Sequence, residues 1–126
     1  MKRTPRSGRP TAASDDAPLP SLRFHHSEAL RSKTLRVLEA LETADDPTDL
    51  RDALAAVVVE LTEAGFDYYF VKAVQAAQMG FMAEQSTKLG ITSMLRVMGP
   101  VIRRIIGAMD ANQLRVVTRH IRHLMQ

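Results

Sequence analysis

Six arginines toward the C-terminal end have the types and spacing to do chemistry. Arg96, Arg103 and Arg104 fall on one expected helix, and Arg115, Arg119 and Arg122 on the next. At a helical repeat, positions i, i+4 and i+7 share a face, so the second set forms a line. Guanidinium groups hold phosphate oxygens through two parallel hydrogen bonds. If the two helices pack antiparallel, the arginines merge into one positive surface suited to nucleic acid or another polyanion. Lys2, Arg3, Arg6 and Arg9 add a basic arm. Two features oppose this reading. No aromatic residue interleaves with the arginines to stack on bases, and the turn at Asp110 lacks the tight glycine turn of a helix-turn-helix. The plainer reading is a solvated basic face that meets the acidic half of the same or another molecule.

His120 and His123 stand three apart and can present two imidazoles to one ion. Metal sites need three or four ligands, and no Asp or Glu lies near this pair in sequence. Surface histidines are the expectation here, as for His25 and His26. Glu84 follows an apolar stretch, where a half-buried carboxyl has the environment to act as acid or base. The plainer expectation is that the helix emerges into solvent there. Nucleophile elbows, phosphate loops and zinc-protease motifs are absent. The chain holds no cysteine, which removes disulfides, thiolate metal sites and cysteine nucleophiles together. No catalytic residue, metal ligand set or cofactor is therefore expected, and the chain reads as a non-enzyme.

Methionine supplies the last candidates. Met79, Met82, Met94 and Met98 lie on the apolar faces of two consecutive expected helices. Unbranched and polarizable, methionine fills core gaps and also suits adaptable contact surfaces. These four would line either an apolar ligand site or a contact between copies.

The elements that must position these residues are helical. Ser27 is a good N-cap, followed by Leu30, Thr34, Val37, Leu38 and Leu41 at helical spacing. Asp46-Pro47 opens a second helix with the stripe Leu50, Leu54, Val57, Val58 and Leu61, which Gly65 is expected to close. A third helix is expected from Asp67 to Leu89, stopped by Gly90. It is apolar nearly all round, with Ala73, Ala76, Ala77, Gly80 and Ala83 as a smooth strip, so it is expected to be the central, most buried element. A fourth runs from about Ser93 to Met109, with Pro100 predicting a kink or restart near Gly99. Asp110 with Gln113 forms a capping box for a fifth.

These elements set the class: all-α, a bundle of about five helices with a disordered N-terminal tail. Residues 1–26 carry four of the six prolines and few large apolar side chains, which reads as a basic, Pro-rich tail; residues 27–126 form the bundle domain. Aromatic residues make up 5% of the chain, so the core must be aliphatic. Charge is divided: net +3 over residues 1–26, −6 over 27–87 and +6 over 88–126. No apolar run reaches the length of a membrane span and no signal-type apolar segment follows the first basic residues, so a cytoplasmic location is the default expectation. The functional expectation is a helical interaction module that forms a homo-oligomer, its acidic and basic halves steering assembly. The alternatives are polyanion binding through the arginines, or a carrier or sensor of an apolar ligand between the third and fourth helices.

Overall fold

A computed structural model describes residues 24–125. They form four helices and, among the described residues, no strand. Helix α1 is Glu28–Thr43; the Ser27 hydroxyl accepts the Leu30 N–H at 3.0 Å and so caps it. Asp46 then caps a 3₁₀ turn, Pro47–Leu50, its Oδ1 accepting from the Thr48 N–H at 3.1 Å and from the Thr48 hydroxyl at 2.7 Å. Helix α2 is a rod of three continuous pieces: Arg51–Phe66, a π turn at Asp67–Val71, and Lys72–Ala76. The chain reverses between Ala77 and Gly80, where Gln78 has φ 54° and Gly80 φ 99°. Helix α3 is Phe81–Gly107 and helix α4 is Ala111–Leu124. The expected capping box opens α4: Asp110 Oδ1 accepts the Gln113 N–H at 2.8 Å, and Gln113 Oε1 accepts the Asp110 N–H at 2.9 Å.

Four helices stand where five were expected, because the breaks fall elsewhere. A glycine ends a helix only by leaving helical φ, usually for the left-handed region. Gly65 stays helical, with the Phe24 ring 3.8 Å from where a Cβ would sit, and α2 runs on through the π turn. Gly90 lies in the middle of α3. The break comes instead at Gln78–Gly80, which divides the expected third helix in two. That stretch is not the buried centre: Ala73, Ala76, Ala77 and Gly80 are exposed, and of residues 67–80 only Val71 is buried. The helix also passes Pro100 without a restart. Pro100 and Arg96, whose carbonyl loses its helical donor, are both exposed, so water can replace that hydrogen bond.

The helices alternate in direction. Lys33 on α1 pairs with Glu60 on α2, and Gln75 on α2 donates to Glu84 on α3 at 3.3 Å. α4 packs against α1 and the 3₁₀ turn, not along α3. All four helices meet around Leu41, Leu54, Ala55, Ile106 and Leu114, with Val37, Leu50, Val58, Ile102, Met109, Val117 and Ile121 packed at the edge. The core is aliphatic, as composition required. The buried hydroxyls of Thr34 and Thr118 are satisfied within their own helices, donating to Leu30 O at 2.8 Å and Leu114 O at 2.7 Å. Among the described residues, no helix is long and apolar enough to cross a membrane.

Candidate interaction surface

Helix lengths create the main feature. At 1.5 Å per residue the 27 residues of α3 extend about 40 Å, whereas the 16 residues of α1 and 14 of α4 extend about 24 and 21 Å. The α2–α3 hairpin therefore outruns its partners. At the start of its far part, Phe24 meets Tyr69 and His25 meets Tyr68 on α2. Two packed helices have no third layer to cover their outer faces.

The outer face of α3 carries large apolar side chains separated by serines, from the overhang into the bundled part of the helix. Met82, Ser86, Leu89, Ser93 and Val97 repeat at intervals of four, three, four and four, which puts them in one sector of the helix. Met82 is 77% exposed, Leu89 67% and Val97 68%. Their opposites, Ile91, Leu95, Ile102 and Ile106, turn inward to varying depth. At the tip, Met79 and Phe81 stand largely in solvent. Around the π turn of α2, every aromatic residue of the chain except Phe81 gathers, four from the turn itself and its edge and Phe24 from before α1. Phe66 stacks on Phe70, Tyr68 meets Tyr69 and His25, and Phe24 meets Tyr69.

The arginines do not merge into one face. The antiparallel packing of α4 along α3 that would join Arg115, Arg119 and Arg122 to Arg96, Arg103 and Arg104 is not the one formed, since α4 lies along α1. Arg122 makes a two-pronged ion pair with Glu42, at 2.6 and 3.0 Å, and Arg115 donates to Asp45 O at 3.3 Å. The α4 basic line thus docks in part on the acidic end of α1 in the same molecule. Those two hydrogen bonds pull the Glu42 carboxyl below its ordinary range and raise Arg122. Asp46 is likewise lowered, by the hydroxyl and N–H of Thr48. Arg96, Arg103, Arg104 and Arg119 are exposed and, among the described residues, make no ion pair.

Two other arginines act in ways their sequence context did not signal. Arg51 Nε donates to Met109 O at 2.8 Å, tying the start of α2 to the α3–α4 turn, and Arg31 donates to Met125 O at 3.3 Å. Both satisfy carbonyls left open at helix ends. His120 and His123 are exposed, and no group of three or more potential metal ligands gathers among the described residues. Glu84 is half-buried and holds Gln75 across the hairpin. Of the methionines, Met79 at 64% and Met82 at 77% face solvent, Met98 is partly exposed and Met94 half-buried. They line a surface and not an enclosed cavity. Compared with family models, with curated proteins and with solved structures, the chain shows no match.

Proposed function

We propose that this chain is a non-enzymatic interaction module that self-associates through the apolar face of its long hairpin. One observation carries the reading: Met82, Leu89 and Val97 lie in one line on a helix that outruns the bundle, each about two-thirds exposed or more. Covering a large aliphatic side chain is worth about 1.5–3 kcal/mol. Several per copy, counted on both copies, match the roughly 4–15 kcal/mol that association costs in lost freedom. Isolated exposed leucines need no explanation, whereas three large apolar side chains aligned on one exposed helix face do.

A second reading has its own observation. Arg96, Arg103 and Arg104 stand exposed and unpaired among the described residues, which suits a polyanion. Arg115 and Arg122 contribute less to it, since both are engaged on α1. The apolar-carrier reading has less support, because Met79 and Met82 face solvent. Native mass spectrometry of the full chain separates these. Self-association predicts a multiple of 14.0 kDa. A sole 14.0 kDa species, together with salt-sensitive binding of a nucleic-acid duplex, would replace the first reading by the second.

A further inference from the structure

We infer that two copies pair antiparallel along α3, seam to seam on Met82, Ser86, Leu89, Ser93 and Val97, about a twofold axis beside Leu89 and Gly90. This rests on the self-association reading and specifies its partner and register.

The stripe is its own complement. Its midpoint falls between Leu89 and Gly90, so a twofold axis there sets Met82 against the partner copy's Val97 position and Ser86 against its Ser93 position. Leu89 then meets the partner copy's Leu89 on one side of the axis, and on the other side Gly90 meets Gly90, where bare backbone lets the helices approach. Small residues in the middle let two helices approach closely, and the large residues at both ends close the seam.

Gly90 gives an independent pointer. It sits inside a 27-residue helix, where glycine costs about 1 kcal/mol relative to alanine. A Cβ at Gly90 would meet nothing within 4 Å. The fold of one copy supplies no reason for the missing side chain; the close approach of a second backbone does.

Charge sets the direction. The five stripe residues are neutral, and Arg96 borders them. A parallel pair would place the two Arg96 guanidinium groups side by side. The antiparallel pair separates them by about 20 Å along the axis, beyond the Debye length of about 8 Å at physiological salt. The occupant is a second copy and not the chain's own N-terminal residues. Residues 1–23 also hold three large apolar side chains, Met1, Leu19 and Leu22, but these do not repeat at the spacing of the stripe, and four prolines stand among them. A twofold pairing brings an identical, register-matched stripe instead.

The sequence contains no cysteine, so introduced thiols report unambiguously. Full-length Met82→Cys, Leu89→Cys and Val97→Cys chains are oxidised singly and as an equimolar mixture of the Met82 and Val97 variants. Sedimentation is run on each before oxidation. Antiparallel pairing predicts that Leu89→Cys cross-links to itself, that the other two alone do not, and that their mixture gives the mixed dimer. Two Met82 positions would lie about 22 Å apart along the axis, far beyond the roughly 7 Å Cα separation a disulfide tolerates. Ser86→Cys mixed with Ser93→Cys tests the same register while sparing the large apolar residues. Self-cross-linking of all three single variants would overturn the antiparallel direction. Dimers that sediment normally yet cross-link in no combination would overturn the seam and leave self-association standing. Monomers throughout, in the wild-type chain as well, would remove both.

Discussion

Leu38, Leu54 and Leu114 are wholly withdrawn from solvent, and Leu54 and Leu114 sit where the four helices converge. Truncating such a side chain removes its transfer energy and leaves a cavity. Leu54→Ala is expected to destabilise by about 2–5 kcal/mol in chemical denaturation; a loss under about 1 kcal/mol would mean that the core does not centre there. The Glu42–Arg122 pair makes a prediction in pH. The folded state holds Glu42 below its ordinary 4.5, so the carboxylate is favoured by folding. That contribution is fully present above 4.5 and is lost as pH falls through the lowered folded value, while Arg122 stays charged throughout. Glu42→Gln should therefore flatten the acid-side fall in Tm below about pH 4.5 and change little at neutral pH. An unchanged acid slope would show that the pair does not form in solution. The sequence announced the α4 arginine line but not what it meets. Which residues of α1 lie opposite is decided by tertiary packing, and so are the carbonyls that Arg31 and Arg51 reach.

Helix starts were legible because their chemistry is local. Ser27 and the Asp110–Gln113 box open the helices their spacing implied, and Asp46 caps the 3₁₀ turn that leads into α2, whose own first residue has no side-chain cap. Helix ends were less so, because a glycine permits a left-handed turn without compelling one. Gly65 and Gly90 remain helical, and the reversal uses Gln78 and Gly80. Two glycines with equally open surroundings should then respond with opposite signs. A Cβ at Gly80 or at Gly90 meets nothing within 4 Å, yet only Gly80 has positive φ. Gly80→Ala is expected to destabilise by about 1–3 kcal/mol through backbone strain, since its φ of 99° and ψ of 170° fall in a region open essentially to glycine alone. Gly90→Ala should stabilise the dilute, dissociated chain by about 0.5–1 kcal/mol through helix propensity. Thermal melts of the pair check this. Equal shifts in one direction would contradict the backbone assigned at the hairpin turn.

Across the whole molecule, the all-α class, the aliphatic core and the apolar excess around residues 68–98 were visible in composition and periodicity. The place of that excess was not. A stretch apolar on most sides reads as a buried centre, and the same pattern arises when one face meets its own hairpin and another is left for a second molecule. Met82, Leu89 and Val97 stay exposed because α1 and α4 pack elsewhere and leave the outer face of α3 uncovered. Residues 1–23 of the expected 1–26 tail lie outside the described residues, whereas Phe24 and His25 pack against Tyr69 and Tyr68 of α2. The central claim is that this open face joins copies, and sedimentation equilibrium across a dilution series tests it most directly. The full chain is predicted to show an average mass above 14.0 kDa that falls toward it on dilution, while Leu89→Glu stays at 14.0 kDa with its helical circular dichroism intact. A wild-type chain that holds 14.0 kDa at the highest concentrations, or a Leu89→Glu chain that associates as the wild type does, would contradict it.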